Sequence, residues 1–249
     1  MSSGTIVITG ASSGLGEEMA RQFAARGYRL GLCARRLDRL TALRDELTAA
    51  HPGIEVRIAT LDVTDDVAVQ AVFERFREQF GTLDRVIVNA GSGEGAPLGT
   101  GGHAANRRTA LTNFVGALSQ SEHALAVFRA QRRGHLVLIS SFAAVRGMRR
   151  SMTAYAASKA GVATLAEGLR AEGIPGVDIS LICPGYIRSE MNADAADRTR
   201  FVVDTEPGVA AMVRAIEARK AVAYVPRWPW APLAFLFKRL PLSIVRKLT

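Results

Sequence analysis

Short, uninterrupted apolar runs alternate along this chain with stretches whose apolar residues recur every three or four positions. The runs are "TIVIT" (5–9), "RLGLCA" (29–34), "EVRIATLDV" (55–63), "DRVIVNAG" (84–91), "HLVLISS" (135–141), "DISLICPG" (178–185) and "AVAYVP" (221–226). Their length and β-branched content predict strands. The segments between them predict helices over 14–27, 36–50, 65–80, about 105–131, around Tyr155, and near 207–219. In the first, Met19, Phe23 and Ala24 share one face and Gly27 is the stop. Strands that are apolar on both faces belong in a parallel sheet covered on both sides. Strand–helix alternation with right-handed crossovers then gives a doubly wound α/β sheet. Its ligand site is expected at the carboxyl ends of the strands.

Composition narrows this picture without changing it. The 249 residues, 48% of them hydrophobic, are enough for one α/β domain or two small ones. The two cysteines, Cys33 and Cys183, each lie inside an apolar run, which argues against a disulfide scaffold and for a reducing, cytoplasmic setting. The first residues read as no secretory signal, and no apolar stretch approaches the roughly 20 residues that span a bilayer. The net charge is +9, and residues 224–249 supply +5 of it with no acidic residue. Nothing there forms a nucleic-acid motif, and no metal-ligand set is assigned.

Candidate chemistry sits at the strand ends. "TGASSGLG" (9–16) joins the first strand to the first helix. Gly10, Gly14 and Gly16 permit a tight turn, and the helix start offers free N–H groups and a positive dipole end to a pyrophosphate. The second strand ends in "CARRL", where a carboxylate would favour NAD. Arg35 and Arg36 stand there instead and read as a fork for the 2′-phosphate of NADP(H). "TAYAASKAG" (153–161) carries Tyr155 and Lys159 one helical turn apart. A lysine charge beside a phenol favours the phenolate and brings it towards useful acid–base chemistry. Alone, such a pair is more often a solvated lysine beside a half-buried tyrosine. The convergence of every chemistry-bearing segment on one end of the sheet weighs against that.

With these residues in place the chain resembles the short-chain dehydrogenase/reductase family, from about residue 4 to 226. The motifs that carry the likeness are "TGASSGLG", "LDV" (61–63), "NAG" (89–91), "TNFVG" (112–116), "SS" (140–141), Tyr155 with Lys159, and "PG" (184–185). The resemblance implies a Rossmann-type fold of about seven strands in the order 3-2-1-4-5-6-7. It also implies hydride transfer between a nicotinamide and an alcohol or carbonyl. Tyr155 would be the acid or base. Lys159 would lower its pKa and bond the ribose. Ser141 would polarise the substrate carbonyl, and Asn113 would hold a water and a helix kink. Ser12, Ser13 and Leu15 would complete the phosphate turn, and Asp62 and Val63 would contact adenine. Asn89, Ala90 and Gly91 would line the cofactor floor, and Pro184, Gly185, Ile187 and Ser189 would frame the carboxamide. Pairing of the long central helices into dimers or tetramers is implied as well.

The chain departs from that family in places. Ser141 precedes Tyr155 by 14 residues, one more than usual, and Ser140 is the alternative because adjacent strand residues point to opposite faces. "SGEGAPLGTGGHAANRRT" (92–109) is rich in glycine and leaves the substrate open; His103 within it reads as a surface histidine. Residues 1–226 read as one catalytic domain and 227–249 as an extension. In the extension Trp228, Trp230, Phe235 and Phe237 accompany basic residues, and Pro229, Pro232 and Pro241 confine any helix to about 233–240. It is expected either to pack over the cleft or a neighbouring subunit, or to lie on an anionic membrane surface; either would suit an apolar substrate. The expected function is an NADP(H)-dependent oxidoreductase acting on a ketone, aldehyde or secondary alcohol. The alternatives are a nucleotide-binding regulatory protein without turnover and a membrane-surface lipid reductase.

Overall fold

The computed structural model describes residues 4–192 and 201–248. Seven parallel strands form one sheet: β1 (Thr5–Thr9), β2 (Arg29–Ala34), β3 (Val56–Thr60), β4 (Arg85–Val88), β5 (Gly134–Ile139), β6 (Val177–Pro184) and β7 (Val222–Val225). Their order is β3-β2-β1-β4-β5-β6-β7, as the resemblance implies. The order reverses between β1 and β4, where Ile6 is in register with both Leu30 and Arg85. The fold is Rossmann-like, with its crevice at that reversal.

The helices are α1 (Gly14–Ala24), α2 (Leu37–Ala50), α3 (Asp66–Phe80), α4 (His103–Ala110), α5 (Gly116–Gln131), α6 (Thr153–Ala171) and α7 (Thr205–Glu217). A buried cluster joins Met19 and Phe23 of α1, Leu40 and Leu43 of α2 and Met212 and Val213 of α7 to one face of the sheet. Phe73 and Phe76 of α3, Ala124 and Phe128 of α5 and Val162 and Ala166 of α6 cover the other. Strands apolar on both faces are therefore satisfied on both, as a parallel sheet requires. At the amino ends of the strands lies a buried polar chain. Arg85 Nε donates to His135 Nδ1 at 2.9 Å, and His135 Nε2 meets Ser180 Oγ at 2.8 Å. Burial beside that guanidinium pushes His135 down to about 3, so it stays neutral.

Two differences from the sequence reading bear on the site. The helix expected over about 105–131 runs over 103–131, so His103 opens α4 instead of lying in a loop, and Leu111–Val115 form a π-helical turn within it. The extension is more helical than its prolines suggested: α8 spans Arg227–Phe237 and α9 spans Leu242–Leu248. Trp228 has extended backbone, so Pro229 takes the first true helical position and Pro232 stands four residues beyond a non-helical one. Prolines there cost few hydrogen bonds.

The extension packs onto the body. Trp230 and Ala234 are buried with Phe142, and Phe142 stacks edge-on to Trp230 and Phe237. Arg146 Nη1 donates to the carbonyls of Phe237, Lys238 and Leu240, satisfying the end of α8. Trp228, Phe235, Leu236, Leu242 and Ile244 remain exposed. Among the described residues no helix is long and apolar enough to cross a membrane. Trp230→Ala is expected to lower the unfolding free energy by about 3 kcal/mol. Urea unfolding followed by circular dichroism checks it, and an unchanged midpoint would contradict this anchoring.

Candidate active site

The cleft is built on a knot of hydrogen bonds between β1 and β4. The Thr9 hydroxyl accepts the N–H groups of Asn89 and Ala90, each at 3.0 Å, and Asn89 Nδ2 donates to the Thr9 carbonyl at 2.9 Å. The chain then turns through Gly10, whose φ is +64°. A Cβ on Gly10 would stand 2.8 Å from the Ala90 Cα, and one on Gly16 would stand 2.3 Å from the Gly10 carbonyl oxygen. Neither position tolerates a side chain. Helix α1 starts at Gly14, with Ser13 extended before it and no side chain capping its first amides. Those amides and the positive end of the dipole are left to an anion, which fits a bound pyrophosphate.

Next to this turn, Arg36 Nη2 donates to Ser13 Oγ at 2.6 Å and Arg36 Nε to Ser12 Oγ at 3.3 Å. Arg36 also lies 3.5 Å and Arg39 2.6 Å from the Glu190 carboxylate. Asp62 Oδ1 accepts from Thr64 N at 3.0 Å and Thr64 Oγ1 at 2.8 Å. Those bonds, with a smaller contribution from Arg35, hold its carboxyl below the usual range.

At the far end of the cleft, strand β5 delivers two serines. Ser140 is buried at the cleft wall and its hydroxyl donates to the Lys159 carbonyl at 2.8 Å. Ser141 faces the other way, as the pleat requires, and hydrogen-bonds the Tyr155 phenol. Its oxygen also accepts from Ala143 N at 3.1 Å. Burial raises the Tyr155 pKa above its ordinary value, and the Ser141 bond opposes this only in part. Lys159 is buried one turn along α6 from Tyr155. Its ammonium donates to the Ile139 carbonyl at 3.0 Å, and burial pushes it down to about 8. Asn113 occupies the π-helical turn. Its Oδ1 accepts from Ser92 N at 2.7 Å, and its Nδ2 donates to Ser92 O at 2.9 Å and Ser158 Oγ at 3.2 Å. The wide turn thus brings one amide between the 92–96 loop and α6.

Comparison with known proteins agrees with this arrangement. A family model described as short chain dehydrogenase matches residues 4–200. The chain belongs to the short-chain dehydrogenase/reductase family. It is 51% identical over 243 residues to an uncharacterized oxidoreductase of Mycobacterium tuberculosis, covering 97% of this chain and 96% of that one. Among solved structures it is similar to levodione reductase (TM-score 0.84, 26% identity, 93% of this chain and 99% of that one). A short-chain dehydrogenase of Sphingobium yanoikuyae in complex with NADPH is similar as well (TM-score 0.83, 28% identity, 94% and 92%). As a member of this family the protein is an oxidoreductase acting on CH–OH or C=O groups.

In this short-chain dehydrogenase/reductase most of the residues singled out in the sequence meet in one cleft of about 730 Å³. It is lined by Gly10, Ser12, Ser13, Gly14, Leu15, Arg35, Arg36, Asp62, Val63, Asn89, Ala90, Gly91, Ser140, Tyr155, Lys159 and Ser189. Others sit behind its wall. Gly16 packs under the turn, and Ile187 is buried against Gly208 of α7. Gly185, following Pro184 at the end of β6, pairs its N–H with the Val225 carbonyl at 2.9 Å and lies beneath the Trp230 indole. Sequence reasoning missed Thr9, Ser92, Arg39, Glu190 and Met191. Thr9 stood within a quoted motif, but a buried threonine gives no signal of its role. Glu190 and Met191 reach the cleft through contacts distant in sequence.

Lys159→Met is expected to raise the melting temperature at pH 7, because it removes a buried charge. A folded-state pKa below the unfolded value makes the charged form costly at neutral pH, so the gain should shrink between about pH 8 and 10.5. Thermal scans across that range check both sign and window.

Proposed function

We propose that this protein is an NADP(H)-dependent reductase of ketones or aldehydes, able to oxidise the corresponding secondary alcohols, with Tyr155 as general acid and base. The observation that carries the reading is that Tyr155, which Ser141 hydrogen-bonds, and buried Lys159 line the same cleft as the uncapped start of α1 and the Arg35–Arg36 pair. The bound nicotinamide would supply the hydride and the protein everything else. The α1 amides would hold the pyrophosphate, Arg35 and Arg36 the 2′-phosphate, and Asp62 and Val63 the adenine. Asn89, Ala90 and Gly91 would form the floor. Pro184 and Gly185, fixed by β7 and Trp230, would set the back wall, with Ser189 at its rim.

Charge develops on the substrate oxygen as the carbonyl is reduced. Two hydroxyls, those of Ser141 and Tyr155, are close enough to bind that oxygen together and to stabilise it. Tyr155 then gives its proton. A phenol whose pKa is raised by burial keeps that proton at neutral pH, which suits reduction. Lys159, charged below about 8, would draw the phenolate down at the moment the proton leaves. Asn113 holds the Ser92 backbone and Ser158, and so fixes where α6 presents Tyr155. Phe114 and Val115 of the π-helical turn and Leu118 of α5 are exposed, which supports pairing of two copies through the central helices.

Spectrophotometric assay of NADPH consumption over a carbonyl panel tests the reading. NADPH is expected to serve better than NADH by about tenfold or more, the worth of ~1.4 kcal/mol. Tyr155→Phe should lose about a hundredfold or more in rate, and Ser141→Ala should lose activity where Ser140→Ala does not. The value of kcat/KM for reduction should fall as pH rises through about 8, when Lys159 loses its charge. Turnover that favours NADH would overturn the assignment of Arg35 and Arg36, and a fully active Tyr155→Phe would overturn the mechanism.

A further inference from the structure

The start of α2 is an unusual place for cations. Arg36 precedes the helix, Arg39 lies in its first turn, Arg35 is adjacent, and no side chain caps the first amides. Guanidinium groups there oppose the positive end of the helix dipole and one another. Among the described residues, the one carboxylate that reaches both Arg36 and Arg39 comes from more than 150 residues away, at 3.5 Å and 2.6 Å. It belongs to Glu190, in the strap that follows β6. The neighbours of Glu190 are fastened too. Ser189 Cβ lies near Gly14, and Met191 packs on Gly93 so closely that a Cβ on that glycine would stand 2.7 Å from the Met191 Cγ. Ser189 N donates to Asn192 Oδ1 at 2.9 Å and Asn192 Nδ2 to the Ile187 carbonyl at 2.8 Å, so the strap is a closed turn with Glu190 at its tip. This turn bridges the phosphate end of the cleft and the loop on its substrate side.

We propose that Glu190 is an internal stand-in for the 2′-phosphate of the cofactor, holding Arg36 and Arg39 in the free protein and giving them up when the phosphate binds. The inference rests on the NADP(H) reading above and adds Arg39 to the phosphate site. A carboxylate and a phosphate oxygen pair present the same acceptor geometry to a guanidinium. The Glu190 side chain is 58% exposed, and those of Arg36 and Arg39 are 42% and 44% exposed, so water screens both pairs and they are weak enough to exchange. A phosphate carries more charge than a carboxylate and would meet Arg35 and the start of α2 as well. Its arrival would free the tip of the strap at one end while Met191 still rests on Gly93. The 2′-phosphate, and not the rest of the nucleotide, would then set the position of the strap over the cleft.

The test is calorimetric titration of the full chain with adenosine 2′,5′-bisphosphate and with adenosine 5′-monophosphate, in wild type, Glu190→Gln and Arg39→Gln. The substitutions are at exposed side chains, and circular dichroism verifies the fold. Glu190→Gln removes the competing charge and should tighten the bisphosphate about threefold to fivefold, within the range of exposed ion pairs, while leaving the monophosphate within about twofold. Arg39→Gln should weaken the bisphosphate alone. A wild-type preference for the bisphosphate that Glu190→Gln leaves unchanged or reduces would overturn the role of Glu190 and leave the NADP(H) reading standing. Equal tightening of both nucleotides would do the same, since it would mean a general loss of negative charge. Equal binding of both nucleotides by wild type and Glu190→Gln would sink the NADP(H) reading and this inference with it.

Discussion

The cleft depends on the seam between β1 and β4. Two strands that carry their chains to opposite faces of the sheet must end side by side, and the gap between their departing loops is the site. Van der Waals packing alone would let that gap close or drift. The Thr9 hydroxyl, accepting two amides of the neighbouring strand, and Asn89, donating back to the Thr9 carbonyl, keep the two ends in fixed register. The glycine turn, the uncapped start of α1 and the floor at 89–91 inherit their positions from those bonds. With one hydroxyl serving both amides, valine at position 9 would match the shape and leave both donors unpaired.

Burial then sets the protonation states of Tyr155 and Lys159. It holds the proton on Tyr155 and weakens the hold of Lys159 on its own. Both cysteines, buried in the core, are pushed up to about 12 by the same cause. Exclusion of water acts on both Tyr155 and Lys159, one turn apart on α6. A partner of the phenol comes from a different element, Ser141 just beyond β5.

The strands were legible because each is a continuous apolar run bounded by polar or glycine residues, and their observed ends fall within a few residues of those runs. The Arg35–Arg36 pair and the Tyr155–Lys159 spacing were legible because both are local in sequence. What the sequence concealed is non-local. Residue spacing cannot show that Ser140 is taken by the Lys159 carbonyl, since that contact spans 19 positions. The extension was misjudged because prolines were counted as breakers without regard to position, whereas Pro229 and Pro232 fall at the start of α8, where few N–H groups are needed. The π-helical turn leaves no mark in an apolar period, because one extra residue shifts the phase of the stripe without erasing it.

That extra residue has a consequence for how the family can diversify. A helix turns about 100° per residue, so the half before Leu111–Val115 is rotated by roughly that much relative to a regular continuation of α5. Asn106, which hydrogen-bonds both the N–H and the carbonyl of Ala96 at 3.0 Å, and Thr109, which donates to the Glu94 carbonyl at 2.5 Å, are carried by the rotated half. Deleting one residue in the turn would give a more regular helix and swing those tethers away from the 92–96 loop. A lineage could therefore rebuild the mouth of the cleft by a single-codon insertion or deletion around Asn113, with every strand and the Ser141, Tyr155 and Lys159 side chains left in place.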